Sequence, residues 1–179
     1  MKSLAPVFTV WMTGLPSSGK TTIARLLCRH LRRRGLLADI IDGDALRAGW
    51  CAKLDFSRRD REENIRRAAA LARLLNEAGI VAIVALVSPF RQARRDARQR
   101  IGRKRFIEAY VRCPLSVCKK RDVKGLYGLA ARGKILKLTG VSGLYESPSR
   151  PDWAMDTSRC LPEDCVRTLL NVLRKKGQL

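Results

Sequence analysis

The chain has 179 residues, a length suited to one domain with its own hydrophobic core. Hydrophobic residues make up 46% of it, which excludes a disordered chain although 30% of the residues are charged. Lys and Arg outnumber Asp and Glu by 37 to 16, giving a formal charge of +21 that attracts polyanions of any kind. No apolar run approaches the length of a membrane-spanning helix, so we expect a cytoplasmic protein with no membrane partner.

The first predicted strand, residues 7–12, leads into a glycine-rich loop of the form G-x-x-x-x-G-K-[ST]. A helix predicted over residues 21–34 follows the loop and ends at Gly35. Backbone N–H groups and a helix N-terminus in this arrangement cradle phosphate, with Lys20 on the β- and γ-phosphates and Thr21 on Mg²⁺. The loop therefore predicts a site for ATP or GTP. Its predicted nucleotide-binding residues are Gly14, Leu15, Pro16, Ser17, Ser18, Gly19, Lys20, Thr21 and Thr22.

Two acidic residues follow the second predicted strand, residues 36–41. Asp42 and Asp44 flank a glycine at the carboxyl end of this strand, where open α/β sheets place their chemistry. An ordinary Asp-Gly turn is the alternative. The third predicted strand, residues 80–87, ends in Ser-Pro-Phe-Arg without an acid. The task of ordering a metal or accepting a proton therefore falls to Asp42 and Asp44.

A long helix is predicted between these strands, over residues 57–78. Ser57 followed by Asp60 indicates a helix cap. Arg61 and Asn64 lie three residues apart, so they share a face near the helix start, at the same end of the sheet as the phosphate loop.

The second half of the chain begins with an arginine-rich stretch, residues 90–105, which is predicted as a helix with a solvated basic face. Residues 121–148 combine glycines with cations and predict a mobile lid over phosphates, since an ordinary connection is much shorter. The remaining predicted elements are a strand at 106–111, a short helix opened by Pro114, a strand at 153–156 and a terminal helix from Pro162.

The order of these elements predicts the α/β class. We expect a three-layer P-loop nucleoside-triphosphate-hydrolase-like fold, with a mainly parallel five-stranded sheet, helices on both faces and a mobile lid. No repeat or linker divides the chain, so residues 1–179 are predicted to form one kinase domain.

The six cysteines form no C-x-x-C pair, which favours small buried hydrophobic residues over a metal site or disulfides. Cys51 alone falls close to the predicted substrate region. His30 is predicted to lie on a solvated helix face.

Several short motifs occur in order along nearly the whole chain. They are Asp42-Gly43-Asp44-Ala45-Leu46-Arg47, Phe56-Ser57, Asp60-Arg61-Glu62-Glu63-Asn64-Ile65-Arg66-Arg67, Ser88-Pro89-Phe90-Arg91, Lys124-Gly125-Leu126-Tyr127, Thr139-Gly140 and Tyr145-Glu146-Ser147-Pro148. Together with the phosphate loop, they resemble the motifs of the adenylyl-sulfate kinase family.

The resemblance implies ATP-dependent phosphorylation of the ribose 3′-hydroxyl of adenylyl sulfate, with Mg²⁺ as cofactor and a homodimer as the family's assembly. It implies Asp44 as the general base, Lys20 as the phosphate stabiliser and Thr21 as the metal ligand. Ser88 matches the family's phosphoserine position and is interpreted as a catalytic-loop serine that faces the substrate. The substrate-binding residues that the resemblance implies are Asp42, Arg47, Phe56, Arg61, Asn64, Ser88, Pro89, Phe90, Lys124 and Leu138.

Two departures from the family pattern bear on the acceptor. Leu138 stands where an aromatic residue completes a base sandwich, and Ala45 stands where Asn is usual. They leave open a kinase of the same fold that uses another nucleotide-linked acceptor, such as a cytidine diphosphate derivative. A nucleic-acid-binding ATPase is the third reading, and the lack of aromatic residues in the basic stretch disfavours it.

Overall fold

The computed structural model describes residues 7–179, so residues 1–6 of the predicted domain lie outside it. Strands and helices alternate through most of the described chain. The strands are β1 (Thr9–Thr13), β2 (Ala38–Asp42), β3 (Val81–Ala85), β4 (Phe106–Arg112) and β5 (Trp153–Asp156). The helices are α1 (Lys20–Arg33), α2 (Gly43–Ala48), α3 (Arg58–Glu77), α4 (Arg91–Ile101), α5 (Leu115–Arg121), α6 (Leu126–Ala131) and α7 (Pro162–Lys175).

The five strands form one sheet in the order β2-β3-β1-β4-β5, and every neighbouring pair is parallel. Val10 in the central strand lies opposite Ile83 on one side and Ile107 on the other. All residues of β1 and β3 are buried, as expected for parallel strands that are covered on both faces. The predicted fold class is therefore confirmed.

Helices cover both faces of this sheet. One apolar layer packs beneath α1 and α7 and includes Leu27 and Leu169. The other packs beneath α3 and α4 and includes Ile65 and Ala97. Because the strands all run in one direction, their carboxyl ends meet along one edge of the sheet, where the loops that follow β1, β2 and β3 come together.

The helix ends follow the predicted signals. Gly35, after α1, has a φ of 78°, a value that glycine adopts without a Cβ clash. The Ser57 hydroxyl accepts the backbone N–H of Asp60 at 3.1 Å, so α3 has the predicted cap. Helix α7 begins at Pro162. Among residues 7–179, no helix combines the length and the apolar character that a membrane crossing would need.

Some predicted boundaries were wrong. Strand β3 covers residues 81–85 rather than 80–87, and Pro114 is the N-cap of α5 rather than its first helical residue. The acidic segment after β2 is not only a turn, since it opens helix α2. Asp42 caps that helix by accepting the Asp44 N–H at 2.9 Å. A helix of six residues is too short to show a hydrophobic period, so the sequence did not predict it.

The predicted lid, residues 121–148, contributes more to the core than its composition indicated. It contains α6, and it buries Tyr127 and Leu138 in a third apolar cluster with Cys113 and Cys118. The lid therefore packs on the rest of the chain through its own small core.

The basic stretch that forms α4 is only partly solvated. Arg95 and Arg100 are exposed, as predicted. Arg94 is 2% exposed and pairs with Glu108 at 2.8 Å, so the prediction of one solvated face was wrong at this residue. Helical spacing could not reveal that an acid on β4 lies against this turn.

Candidate active site

The phosphate loop connects β1 to α1 at the carboxyl edge of the sheet. A Cβ at Gly14 would collide with the carbonyl oxygen of Val111, and Gly19 adopts a left-handed φ of 97°. Both positions therefore require glycine. Ser17 has a left-handed φ of 59°, and its Oγ has no hydrogen-bond partner within the described chain. The loop therefore contains a buried hydroxyl group that could donate a hydrogen bond to a bound anion.

Lys20 is buried and folds back onto this loop. Its Nζ donates to the carbonyl oxygens of Gly14, at 3.0 Å, and Leu15, at 2.8 Å. Burial, followed by the nearby charge of Lys124, lowers the pKa of Lys20 to about 7. The ammonium is thus held at the centre of the loop, where phosphate oxygens could replace the two carbonyls.

The two predicted acids lie beside the loop. Asp42 accepts the Thr21 hydroxyl at 2.9 Å, which joins the first turn of α1 to the end of β2. Asp44, two residues further, forms an ion pair with Lys124 of the lid. The structure thus brings Thr21, Asp42, Asp44 and Lys124 together at one end of a single cavity.

This cavity has a volume of about 750 Å³, within the range of small-molecule sites. Its wall includes the predicted residues Arg47, Phe56, Arg61, Asn64, Ser88, Pro89 and Leu138. The cavity therefore unites the phosphate loop with nearly the whole predicted acceptor site.

Phe56 is 51% exposed and has two arginines close to its ring. The guanidinium carbon of Arg47 is 4.4 Å from the ring centroid and that of Arg61 is 5.3 Å from it. Arg47 also donates to the Leu54 carbonyl at 3.0 Å. These contacts fix the aromatic ring at the cavity wall, where a planar base could stack on it.

Arg61 also ties α3 to the lid. Its guanidinium donates to the Phe56 carbonyl at 2.9 Å, the Thr139 hydroxyl at 2.8 Å and the Lys137 carbonyl at 2.7 Å. Asn64, one turn along the helix, is 7% exposed, and its Oδ1 has no hydrogen-bond partner among residues 7–179. An amide oxygen buried in this way and lining the cavity is suited to accept from a ligand.

The loop after β3 contributes Ser88 and Pro89 to the cavity wall. The Ser88 side chain is buried, and its Oγ accepts the indole N–H of Trp11 at 3.0 Å. Phe90 is buried outside the cavity wall, with the Arg58 guanidinium 4.8 Å from its ring centroid. Of these three predicted substrate residues, Phe90 is therefore the one set apart from the cavity.

The lid closes on the phosphate loop through contacts that the sequence did not predict. The Tyr127 hydroxyl donates to the Pro16 carbonyl at 3.0 Å. Gly140 of the Thr-Gly motif packs against the Leu15 side chain and has a left-handed φ of 88°, which favours glycine at this close approach. The lid is thus positioned directly over the predicted phosphate site.

A further lobe of the cavity was also missed. It is lined by Arg121 and by the segment after β5, from Thr157 to Cys165. The Thr157 hydroxyl donates to the Ser18 carbonyl at 2.8 Å, which links this segment to the phosphate loop. Its position at the carboxyl end of a predicted parallel strand was the available signal.

Cys51 does not belong to the site. It is fully buried in the layer beneath α3, outside the cavity wall. Five of the six cysteines are buried and the sixth, Cys160, is partly buried, as predicted. Within the described chain, no cluster of three metal-ligating side chains occurs.

The chain is similar to known proteins in sequence and in structure. A family model described as adenylylsulphate kinase matches residues 6–156. The chain is 47% identical over 173 residues to the adenylyl-sulfate kinase of Phocaeicola vulgatus, covering 94% of this chain and 85% of that protein. It is 46% identical over 167 residues to that of Burkholderia ambifaria, covering 93% and 92%. A solved structure of the Mycobacterium tuberculosis APS kinase in complex with AMPPNP and APS matches with a TM-score of 0.89 at 37% identity, covering 94% and 98% of the two chains.

Proposed function

The chain belongs to the adenylylsulphate kinase family, as its motifs predicted, and we propose that it phosphorylates adenylyl sulfate at the ribose 3′-hydroxyl with ATP. The product is 3′-phosphoadenylyl sulfate. The observation that carries the proposal is one cavity in which a phosphate loop faces an acid pair and an aromatic wall.

We propose that Lys20 stabilises the transferring phosphoryl group. Its Nζ donates to two carbonyl oxygens of the loop, and phosphate oxygens would replace these two partners when ATP binds. Loop N–H groups and the N-terminus of α1 add donors aimed at the same point. Preorganised donors of this kind stabilise the charge that spreads over the transferring oxygens.

Asp44 is the proposed general base. In the reaction, the 3′-oxygen bonds to the γ-phosphorus while the bond from that phosphorus to the bridging oxygen of ADP breaks. The proton of the 3′-hydroxyl passes to the Asp44 carboxylate. Lys124 pairs with Asp44 before substrate binds, and it is positioned to contact phosphate oxygens when the carboxylate turns to the hydroxyl.

The residues beside the loop fit Mg²⁺. Thr21 and Asp42 offer a hydroxyl and a carboxylate oxygen 2.9 Å apart, and hard oxygen ligands of this kind suit the ion. Thr21 would hold it directly and Asp42 would orient that hydroxyl or a bound water. When bound there, Mg²⁺ would offset the negative charge of the phosphates.

The acceptor is proposed to lie along α3. Phe56 supplies one stacking face for the base, and the buried Asn64 oxygen supplies an acceptor that no group among residues 7–179 uses. Arg47 and Arg61 supply positive charge for the phosphosulfate, because guanidinium groups match such oxyanions. Leu138 closes the cavity on the lid side with an aliphatic surface in place of a second ring.

A matched set of acceptors tests this function. ADP formation is measured with Mg²⁺ and ATP in the presence of adenylyl sulfate, AMP, a cytidine diphosphate derivative or no acceptor. The proposal predicts turnover that depends on adenylyl sulfate. Turnover with the cytidine derivative alone would overturn the acceptor assignment and leave the phosphoryl-transfer mechanism intact.

We also propose that residues 1–179 work as a single domain, and that the protein forms a homodimer. The first six residues lie outside the described chain, and the dimer follows from the family resemblance. Light scattering coupled to size-exclusion chromatography tests the assembly, and a monomer at assay concentration would contradict it.

A further inference from the structure

Two segments that flank the active site are joined to each other. The acceptor loop, residues 88–90, follows β3 and forms part of the cavity wall, and the anchor segment, residues 145–147, lies at the end of the lid. The backbone N–H of Glu146 donates to the Pro89 carbonyl at 2.8 Å. The Glu146 carboxylate in turn accepts the backbone N–H of Arg91 at 2.8 Å, at the start of α4. The anchor segment therefore ends the lid directly against the acceptor loop.

Further contacts hold the anchor segment from its other side. The Tyr145 and Thr13 hydroxyls are hydrogen-bonded at 3.0 Å, next to the phosphate loop. Burial raises the pKa of Tyr145, so this phenol stays protonated across the working pH range. The Arg91 guanidinium donates to the Ser147 carbonyl at 2.7 Å. The lid thus has a fixed point at which its chain re-enters the core.

Arg94 joins the two segments from beneath. Its guanidinium donates to the Ser88 carbonyl at 2.6 Å, the Glu146 carbonyl at 2.8 Å and the Glu108 carboxylate at 2.8 Å. The three partners belong to the acceptor loop, the anchor segment and β4. Among residues 7–179, Arg94 is the one buried side chain whose charged donors contact both the acceptor loop and the anchor segment.

Because Arg94 is buried, its charge and its N–H donors need partners within the protein. The side chain is 2% exposed, and a buried cation is tolerated only when its charge is paired and its donors are satisfied. Glu108 supplies the opposite charge at Nε, and each terminal nitrogen donates to one of the two carbonyls. A lysine could keep the ion pair, but its compact ammonium lacks the planar fork that spans both carbonyls.

The acceptor loop itself is under backbone strain. Ser88 has a left-handed φ of 43°, which a residue with a Cβ adopts only when its surroundings hold it there. Trp11 holds the Ser88 hydroxyl, and Arg94 holds the Ser88 carbonyl. Releasing either contact lets this residue relax and shifts the cavity wall.

We infer that Arg94 is a positioning residue that fixes the acceptor loop and the end of the lid at one point. Because one side chain holds both segments, the position of the cavity wall that contacts the substrate and the position of the lid are set together. Arg94 acts through the Ser88 and Glu146 backbones and is not part of the cavity wall. The expected kinetic effect rests on the proposed function, whereas the expected structural effect rests on the contacts alone.

The kinetic test uses Arg94→Lys, together with the double variant Arg94→Gln and Glu108→Gln. The first keeps the buried ion pair, and the second removes both charges, so neither leaves an unpaired buried charge. We expect the KM for adenylyl sulfate to rise by about tenfold or more, because small misplacements of binding groups carry costs of this size. The KM for ATP should stay within about twofold, since the phosphate loop is untouched.

The matched control is Arg98→Gln, one turn along the same helix. Arg98 pairs with Asp152 at 2.7 Å and contacts neither the acceptor loop nor the anchor segment. It should leave both KM values near those of the wild type. Loss of folded protein alone would lower kcat without raising the KM for adenylyl sulfate. An unchanged acceptor KM in folded Arg94→Lys would overturn the kinetic role.

Hydrogen exchange gives a readout that needs no turnover. The inference predicts faster amide exchange at Ser88, Phe90 and residues 145–147 of Arg94→Lys, in both segments together, and unchanged exchange there in Arg98→Gln. If the wild type fails to phosphorylate adenylyl sulfate but both segments loosen together, the proposed function fails and the positioning role stands. Exchange that is unchanged in both segments would overturn the positioning role.

Discussion

The Thr21 hydroxyl donates to the Asp42 carboxylate across 2.9 Å and so joins the phosphate loop to the end of β2, two residues before the proposed base Asp44. Thr21 lies in the first turn of α1 and Asp42 at the end of β2, so the rest of α1 separates them along the chain. Asp42 also caps α2 through the Asp44 N–H at 2.9 Å. One carboxylate therefore sets the metal ligand and the base relative to each other.

Replacing the base tests this arrangement directly. Asp44→Asn keeps the size of the side chain and removes the proton acceptor, so kcat should fall by about 100-fold or more. ATP binding should remain near the wild-type value because Asp44 lies outside the phosphate loop. Stopped-assay rates and calorimetric titration with ATP measure the two effects. Lys20→Ala is the contrasting variant, which should lose ATP binding as well, and a wild-type rate in Asp44→Asn would exclude its assigned role.

Proton uptake on ATP binding follows from the lowered pKa of Lys20. With a pKa of about 7 in the free protein, this amine is mostly neutral at pH 8 and mostly charged at pH 6. Phosphate favours the charged form, so ATP binding should take up more protons at the amine at pH 8 than at pH 6. The Lys20 contribution to affinity should decline above pH 7, by at most about tenfold per unit.

Calorimetry in two buffers with different ionisation enthalpies measures that uptake. Lys20→Arg is the matched control, because its guanidinium stays charged over this range and should show no such uptake. Equal uptake by the wild type and Lys20→Arg at pH 8 would contradict the lowered pKa.

Replacing the aliphatic Leu138 of the lid by an aromatic residue should raise the affinity for adenylyl sulfate. Leu138→Phe should provide a second stacking face opposite the acceptor base and lower the KM for adenylyl sulfate by about fivefold or more. Leu136→Phe is the control, since Leu136 lies two residues away, is 81% exposed and lies outside the cavity wall. An unchanged KM in Leu138→Phe would mean that this side of the cavity does not meet the base.

Ser88→Ala separates a structural role from a chemical one. Removing the Ser88 hydroxyl leaves the buried indole N–H of Trp11 without its partner at 3.0 Å, which should lower the free energy of unfolding by about 1–3 kcal/mol. Urea titration measures this loss. Turnover should fall less than in Asp44→Asn, because the Ser88 hydroxyl faces the indole. A rate as low as that of Asp44→Asn, in a variant of wild-type stability, would make Ser88 a catalytic residue instead.

The sequence predicted those parts of the fold that local pattern determines. Periodic apolar residues identified α1 and α3, and the continuous apolar runs identified the buried parallel strands, although β3 proved shorter at both ends. The phosphate loop could be predicted from the sequence because the local backbone requires glycine at Gly14 and Gly19. The acid pair after β2 could be placed at the carboxyl edge because parallel strands share that edge.

Contacts between distant segments could not be read in this way. Arg94 was interpreted as part of a solvated face, because nothing in its own helix shows that Glu108 and the Ser88 and Glu146 carbonyls lie against it. The Tyr127 contact with Pro16 and the lobe near Thr157 were missed for the same reason. These features depend on tertiary packing, which has no signature in sequence spacing.

The measurement that tests the central claim most directly is the identity of the product. The protein is incubated with Mg²⁺, ATP and adenylyl sulfate, and the purified nucleotide is analysed by mass spectrometry and phosphorus NMR. We predict one added phosphoryl group, seen as a monoester whose phosphorus couples to the ribose 3′ hydrogen. Unchanged adenylyl sulfate, or a phosphate at another position of the nucleotide, would contradict the proposed reaction.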